Sequence, residues 1–267
     1  MAVPFTNIII MAAVALASIA LPSIACLVVR TITKARFVSL FVGMAVFFVC
    51  FIIAVATQAL FSFFIGSQVA LVIIGATRAG VIEELGRFLA FKVFLRRKKA
   101  VGDALMYGVG HGGMEVVLTL TLGMVSNIIL ALAANAGILD SLIASMPEEG
   151  SVLRQAISTL ANASPLLLSL GLFERVSAII LHIALSVVVF CAARQRKPQY
   201  LLLAILLHTL ANSSILLLVE GWVEIELFEL IFFVVAAAYA LIAWKFARNY
   251  IKHRDSTDKN TSKVSGG

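Results

Sequence analysis

Residues 80–87 read Gly80-Val-Ile-Glu-Glu-Leu-Gly-Arg87 and place two adjacent carboxylates and a guanidinium inside an apolar run from Leu71 to Leu95. Ionised side chains at the depth of a bilayer core cost several kcal/mol unless they are paired or hydrated. A chain that keeps three of them together in one apolar segment is therefore expected to use them. The remaining sequence indicates what these side chains face.

The composition is that of a membrane protein. Of the 267 residues, 61% are hydrophobic and 13% are charged, whereas a soluble domain is about half apolar and about a quarter charged. Such a chain has too little polar surface to cover a soluble globule. The net charge of +7 comes from clustered basic residues, so nucleic acid is not an expected partner.

Cysteine usage and the N-terminus exclude other classes. Cys26, Cys50 and Cys191 lie inside apolar runs, and no Cys-x-x-Cys occurs. The sequence therefore predicts neither a disulfide framework nor a cysteine metal site. No Lys or Arg precedes the first apolar run, so this segment is not typical of a cleaved signal peptide.

Seven apolar segments are long enough to cross a bilayer, which requires about 20 largely apolar residues. They are 8–29, 37–56, 69–95, 103–134, 166–193, 200–219 and 227–244. The fourth segment is long enough to be tilted or broken at Gly123. Residues 57–67 are interpreted as a turn or interfacial segment, and residues 146–165 as a polar extramembrane loop.

The sequence thus predicts an all-α fold, a polytopic membrane helix bundle of about seven helices. Residues 1–250 are expected to form one domain whose motifs lie in 69–219, followed by a basic, disordered cytoplasmic tail over 251–267.

Basic clusters predict the orientation, because Lys and Arg concentrate in cytoplasmic loops. If seven spans alternate, the clusters at 30–36, 96–99, 194–197 and the C-terminal tail share one side. The acidic loops at 148–149 and 220–226 fall on the other side. We predict an external N-terminus and a cytoplasmic C-terminus in the cell membrane of a bacterium. A span hidden in 57–67 would break this alternation.

Ionisable residues of four spans share one depth near the bilayer midplane. Counted at ~1.5 Å per residue, each lies about 15–20 Å from the cytoplasmic end of its span. The set consists of Glu83, Glu84, His111, His182 and His208.

Helical spacing adds further polar residues to this set. Glu83 and Arg87 are four residues apart and can pair along one helix face. The same spacing joins His111 to Glu115, His182 to Ser186, and His208 to Asn212. The glycines at 108, 110, 112 and 113 surround His111. Small residues let membrane helices approach closely, so this span is expected to press His111 against its neighbours.

Several of these residues also have purely structural interpretations. His182 alone is as consistent with an interhelical hydrogen bond as with a site. Glu115 is expected either to hold His111 in one tautomer or to act directly. Glu174 and Arg175 are expected to form a structural ion pair, and Arg78 to extend towards the outer surface.

The joint set fits hydrolysis by an activated water. A Glu and a His that share a water can activate it for attack on a carbonyl. A second His and an Asn amide can donate hydrogen bonds to the developing oxyanion, an effect of about 3–4 kcal/mol per donor in a dry site. No Gly-x-Ser-x-Gly occurs, and no cysteine has a His at helical spacing, so direct water attack fits better than an acyl-enzyme.

Three motifs resemble the signatures of the CAAX-protease and bacteriocin-processing (CPBP) superfamily of intramembrane proteases. They are Glu83-Glu-Leu-Gly-Arg87, Tyr107-Gly-Val-Gly-His111 and His208-Thr-Leu-Ala-Asn212. The variant Gly110-His-Gly-Gly-x-Glu115, with Glu174-Arg175 ahead of His182, is most similar to the bacterial YhfC branch. The resemblance extends over residues 74–217.

The resemblance implies a glutamate-dependent peptidase without a cofactor. Glu83 would then be the base that activates water with the help of His111, while His208 and Asn212 would form the oxyanion hole. Arg87 follows Glu83 by four residues rather than the five of the family pattern, which leaves both Glu83 and Glu84 as candidates for the base. Tyr107, the aromatic residue of the second motif, would support the site.

Two other functions stay open. A zinc-dependent protease would use His111, His182 and His208 with Glu84 or Glu115, although no His-Glu-x-x-His occurs. A non-catalytic transporter or an immunity or scaffold protein is the third possibility, since acidic and His chains in membranes also relay protons. For a protease, the expected partners are the lipid bilayer and a peptide or membrane protein that enters between helices.

Overall fold

The structure is a computed structural model that describes residues 2–264, without the side chains of residue 147 and of residues 257–264. The described chain is helical and contains no strand. Its helices are α1 (Phe5–Thr33), α2 (Phe37–Phe64), α3 (Gln68–Lys92), α4 (Val101–Val116), a π-helical turn (Val117–Thr121), α5 (Leu122–Asn135), α6 (Asp140–Ser145), α7 (Pro147–Asn162), α8 (Pro165–Gln195), α9 (Pro198–Ser213), α10 (Leu216–Val219) and α11 (Ile225–Val264).

The prediction of an all-α polytopic membrane bundle is confirmed. In the described residues, six helical segments are long and apolar enough to cross a membrane: Phe5–Thr33, Phe37–Phe64, Val101–Asn135, Pro165–Gln195, Pro198–Val219 and Ile225–Ser256. The remaining predicted span, the third (69–95), corresponds to α3, which is 25 residues long. It is less apolar because it carries Arg78, Glu83, Glu84 and Arg87. The orientation of the bundle stays a prediction.

The turn predicted at 57–67 is wrong for most of its length, whereas an interfacial position of this segment stays a prediction. Residues 57–64 continue α2 without interruption, and only residues 65–67 connect α2 to α3. The polar side chains there do not end the helix, because Thr57 and Ser62 bond back to carbonyls of their own helix. The chain turns only at Gly66-Ser67, where the Ser67 hydroxyl caps α3 by accepting from the Ala70 amide at 3.3 Å. No extra span is added, so the predicted alternation is unaffected.

The segment between 146 and 165 is a helix rather than a loop. Glu148 and Glu149 lie in the first turn of α7, where carboxylates complement the helix dipole. Its apolar residues Ile157 and Leu160 are buried in a core cluster shared with α1. The Asn7 side chain of α1 also donates to Leu160 O at 2.9 Å. Thus α7 covers one end of the bundle.

Two further boundaries differ from the prediction. The fourth span is not broken at Gly123, because it passes through the π-helical turn at Val117–Thr121 and continues to Asn135. Inside that turn the Thr121 hydroxyl lies 2.7 Å from the Ser18 hydroxyl of α1. The tail expected to be disordered from residue 251 instead continues α11 to Val264, since Lys and Arg are good helix formers. Residues 265–267 lie outside the described part.

Two helices, α4 and α8, form the centre of the bundle and are buried over much of their length. Glycines set the distance between α4 and its neighbours. A Cβ added at Gly110 would lie 2.0 Å from Leu40 O of α2, and one at Gly108 would lie 2.5 Å from Ile183 Cα of α8. Only glycine fits at such separations, so the predicted close packing around His111 is confirmed.

A third glycine brings α3 against α9. A Cβ at Gly80 would lie 2.4 Å from the Thr209 hydroxyl and 2.9 Å from Ile205 O. One helical turn after Gly80, Glu84 therefore faces His208 of α9. This contact begins the polar cluster in the middle of the bundle.

The other end of α3 is closed by a residue of α8. The Arg194 guanidinium donates to three carbonyl oxygens there: Lys98 O at 2.8 Å, Phe91 O at 2.9 Å and Leu95 O at 2.6 Å. The carbonyls lie at or beyond the C-terminal end of α3, where the helix no longer supplies backbone N–H groups to all of them. Arg194 thus ties α3 to α8 below the polar cluster.

Candidate active site

Ionisable side chains of four helices meet in the interior of the bundle, as the shared depth predicts. Helix α3 supplies Glu83, Glu84 and Arg87, α4 supplies His111 and Glu115, α8 supplies His182, and α9 supplies His208. Four of these, Glu84, Arg87, His111 and His208, are at most 1% exposed. We call this set the central cluster.

Glu84 is a fully enclosed carboxylate with two partners. Arg87 Nη1 lies 3.0 Å from both of its oxygens, and His208 Nδ1 lies 2.7 Å from Oε1. The spacing predicts that Arg87 pairs with Glu83, but it pairs with Glu84 three residues away. The reason is the helix face: Glu84 and Arg87 face α8 and α9, whereas Glu83 faces α4.

The Glu84 contact decides the tautomer of His208. A carboxylate paired with arginine accepts hydrogen bonds, so the His208 Nδ1–H must donate to it. A neutral imidazole has one N–H only, which leaves a lone pair on Nε2. This atom lies 3.9 Å from Glu83 Oε2. In its neutral form, His208 therefore presents Nε2 as a ligand atom towards Glu83.

Glu83 is the accessible member of the acidic pair. Its side chain is 14% exposed, against 0% for Glu84, and its Oε2 lies 2.9 Å from His111 Nε2. His111 Nδ1 is buried and has no hydrogen-bond partner among the described residues. This arrangement fits a His111 ring that donates its Nε2–H to Glu83 and leaves Nδ1 as an unused acceptor. Of the two candidate bases, only Glu83 can reach water or substrate.

His182 bridges an arginine and a third carboxylate. Arg87 Nη2 donates to His182 Nδ1 at 3.0 Å, because a guanidinium has only donors. The remaining proton is then on Nε2, which lies 2.5 Å from Glu115 Oε2. Glu115 was expected to hold His111 in one tautomer, and the structure brings it to His182 instead.

Arg175 extends this chain of contacts towards the outer half of α8. It donates to Glu115 Oε1 at 2.8 Å and also pairs with Glu174. The expected Glu174–Arg175 ion pair is present, but it is linked to the central cluster through Glu115. Sequence reasoning missed this link, since neither spacing nor depth indicates that α4 and α8 meet at these positions.

Aromatic rings cover the histidines. Tyr107 stacks on His111 at 5.9 Å between ring centroids, and its buried hydroxyl has no partner among the described residues. Phe47 of α2 contacts His111 edge-on at 5.0 Å. Sequence reasoning did not identify Phe47, because an apolar residue in an apolar helix carries no signal. These rings exclude water from one side of the cluster.

Asn212 lies apart from the other predicted residues. It follows His208 by one turn of α9, about 6 Å along the helix axis, and its side chain makes no hydrogen bond within the described chain. It lines a cavity of about 320 Å³ together with Gln58 and Gln68. Its predicted role in an oxyanion hole stays a prediction.

One subset of the central cluster has the composition of a metal site. Glu83, His182 and His208 each offer a ligand atom within 4.8 Å of the others, and two His with a carboxylate are a common catalytic zinc set. Glu83 replaces the predicted Glu84 or Glu115, whose oxygens already contact arginine and histidine. Neighbouring ligands of a tetrahedral zinc lie roughly 3.4 Å apart, so the donors would have to move closer together. The residue types therefore fit a metal, although His182 Nδ1 contacts Arg87 in this structure.

Comparison with known proteins identifies the family of this chain. The family model described as "YhfC intramembrane metalloprotease" matches residues 17–233, which include the whole central cluster. The chain belongs to this family. The prediction of a YhfC-like protein is thereby confirmed, whereas the wider CPBP assignment stays a prediction. The family description favours a metal over the expected absence of a cofactor.

A curated relative is known from a bacterium. The "Uncharacterized membrane protein YhfC" of Bacillus subtilis (strain 168) is 37% identical over 152 residues, which are 57% of this chain and 58% of the relative. The chain thus spans less than two thirds of that relative's length. No solved structure matches the chain. The relative and the apolar helices support a multi-pass protein of the cell membrane.

Proposed function

We propose that this protein is an intramembrane endopeptidase that hydrolyses a peptide bond at the central cluster with the help of a bound divalent metal. The substrate would be a peptide or membrane protein that reaches the cluster between helices. The family match supports the reaction class. The residue roles rest on the geometry of the cluster.

Glu83, His182 and His208 would hold the metal, for which zinc is the best candidate. When bound, zinc would activate a water and polarise the scissile carbonyl. In the structure His182 Nδ1 accepts from Arg87, so ligation through this atom requires that hydrogen bond to be released. Arg87 would keep Glu84 as its partner.

The other residues of the cluster orient these three. Glu84 would fix the His208 ring through its Nδ1–H, and the Glu115 carboxylate, 2.5 Å from His182 Nε2, would hold the His182 ring by charge. Carboxylates that orient ligand histidines in this way raise metal affinity and activity by about 10- to 100-fold. Tyr107 and Phe47 keep the rings in a dry environment, in which electrostatic effects are stronger.

Proton transfer would fall to Glu83, supported by His111. His111 donates its Nε2–H to Glu83 Oε2 at 2.9 Å and would hold this carboxylate in place, while the Glu83 oxygen that does not bind the metal would take the proton of the attacking water. The same carboxyl group would then return this proton to the departing amine. Glu83 is suited to this because it is the accessible carboxylate of the pair.

The single observation that carries the proposal is the group of three ligand atoms, one each from Glu83, His182 and His208, that lie within 4.8 Å of one another. In its neutral form His208, whose Nδ1 lies 2.7 Å from Glu84, leaves the lone pair of Nε2 for a cation. A metal-independent glutamic peptidase, the second candidate, is favoured by the Glu83–His111 contact alone. It would need another donor for the oxyanion, a role for which Asn212 is the candidate.

Metal content and cleavage can be measured on one preparation. The full chain would be purified in detergent and assayed for bound metal and for cleavage of dye-labelled β-casein, an unfolded polypeptide. Glu83→Gln and His208→Gln should each lose the metal and lower cleavage at least about 10³-fold. Glu220→Gln, which alters an exposed carboxylate far from the cluster, is the matched control and should change neither.

The outcomes separate the candidates. Cleavage that survives complete chelation but is lost in Glu83→Gln would favour the metal-independent peptidase. Full cleavage by both Glu83→Gln and His208→Gln would exclude hydrolysis at the cluster. In that case proton-coupled uptake into vesicles would test the transporter interpretation.

A further inference from the structure

A cavity next to the central cluster has a lining that matches a peptide main chain. It occupies about 320 Å³ between the ends of α2, α3 and α9 and is lined by Gln58, Gln68, Leu71, Val72, Gly75, Ala76, Asn212 and Ile215. Its volume falls within the range of about 300–1,000 Å³ that is usual for ligand sites. We call it the amide cavity.

The position of the amide cavity follows from the direction of the helices. On α3 its residues 71–76 precede Glu83, whereas Asn212 of α9 and Ile215, which lies just after α9, follow His208. Because α3 and α9 run in opposite directions here, both sets lie on the same side of the cluster. Asn212 is one turn from His208, so the cavity ends about 6 Å from the histidine along α9.

The lining is neutral and polar. Gln58, Gln68 and Asn212 are carboxamides that present both donors and acceptors. None of the three side chains has a hydrogen-bond partner in the part of the chain that the structure describes. The lining contains no charged side chain, so it lacks the cation that recognition of a phosphate headgroup or a carboxylate requires.

We propose that the amide cavity binds an extended segment of the substrate polypeptide next to its scissile bond. Three free carboxamides offer the N–H and C=O groups of an extended chain the partners that a sheet edge would offer. Gly75 leaves the space for it, because a Cβ there would only reach ordinary contact, 3.6 Å from Gln58 Oε1. The inference rests on the proposed function, since the segment is that of the cleaved substrate.

Cross-linking tests occupancy without cleavage. A photoreactive p-benzoylphenylalanine would replace Gln68 in the full-length Glu83→Gln protein, and Gly123 in a second sample as control. Gly123 lies in α5, and a Cβ there meets nothing within 4 Å. With dye-labelled β-casein as the probe, an adduct is expected at position 68 and not at 123. Equal adducts at both positions, no adduct at either, or phospholipid adducts alone at 68 would overturn the proposal.

A space-filling variant tests the consequence for cleavage. Gly75→Leu fills the amide cavity and should lower both the adduct yield at position 68 and the cleavage of β-casein by about tenfold, the effect of losing one or two hydrogen bonds. Gly123→Leu makes the same change in an open position and should alter cleavage less than about twofold.

The two proposals fail in different ways. Normal cleavage by Gly75→Leu would overturn the amide cavity and leave the endopeptidase intact. A different result would be an adduct at position 68 that Gly75→Leu abolishes, together with no cleavage by the unsubstituted chain. This result would refute the endopeptidase but support a cavity that binds polypeptide.

Discussion

Replacing Glu115 by Gln tests whether the contact chain of α4 and α8 positions His182. The Glu115 carboxylate contacts His182 Nε2 at 2.5 Å and accepts a hydrogen bond from Arg175 Nη1 at 2.8 Å. Glutamine keeps the shape and one acceptor oxygen but removes the charge. A hydrogen bond to a charged group contributes about 1.5–3 kcal/mol and a neutral one about 1 kcal/mol. The variant should therefore lose about 1–2 kcal/mol of this interaction, or roughly 5- to 30-fold in kcat/KM.

A positioning role and a structural role give different results. If Glu115 orients His182, zinc affinity measured by competition with a chelating dye should fall about tenfold alongside kcat/KM. Thermal stability should change little, because Arg175 keeps Glu174 as a partner. Arg175→Lys retains a charge beside Glu115 and should lose less activity than Arg175→Gln.

Two results would refute this reasoning. Wild-type kcat/KM and zinc affinity in Glu115→Gln would mean that the contact has no functional consequence. If kcat/KM and zinc affinity fall only because much of the protein is unfolded, Glu115 has a structural role. Glu220→Gln, an exposed carboxylate, controls for the change of net charge.

Three further predictions concern stability. Glu84→Gln should destabilise the fold by about 3–5 kcal/mol, because it leaves the buried Arg87 without its counter-charge. Glu83→Gln should melt at the same temperature as the unsubstituted chain. Equal melting temperatures of the two variants would contradict the different environments of Glu83 and Glu84. Arg194→Gln should lower stability by about 2 kcal/mol, because hydrogen bonds to backbone carbonyls are lost, and it should leave zinc affinity unchanged. A shift in zinc affinity would contradict a purely structural role of Arg194. Gly110→Ala should lower the free energy of unfolding by about 1–3 kcal/mol through overpacking, because its Cβ would overlap Leu40 O. Gly123→Ala should leave the stability unchanged or raise it. Equal melting temperatures of the two variants would show that α2 can move away to make room.

The site was largely predictable because ionised residues in an apolar chain have few partners other than one another. Counting the depths of Glu83, His111, His182 and His208 from the basic clusters was enough to bring four helices together. The glycines around His111 likewise predicted close packing, which the 2.0 Å separation at Gly110 confirms. Both inferences need only the rise of a helix and the size of a side chain.

The pairing of these residues was not predictable, because it depends on the rotation of each helix about its axis. A rotation of one residue, about 100°, exchanges the faces of Glu83 and Glu84. Arg87 accordingly contacts Glu84 rather than Glu83, and Glu115 contacts His182 rather than His111. Sequence spacing describes one helix, whereas these contacts depend on its neighbours.

Helix ends were the other source of error. Polar residues at 57–64 suggested a turn, yet hydroxyls such as that of Thr57 are satisfied within their own helix. The segment that ends at Asn162 suggested a loop, but its apolar face covers α1. In both cases packing or local hydrogen bonding outweighs the polarity of the sequence.

Zinc K-edge X-ray absorption of the purified full-length chain, beside His208→Gln, tests the central claim most directly. We predict one bound zinc with histidine nitrogens at about 2.0–2.1 Å and a carboxylate oxygen at about 2.0–2.2 Å, and its loss in His208→Gln. Zinc with the same spectrum in His208→Gln, or full cleavage by protein that contains no metal, would contradict the account.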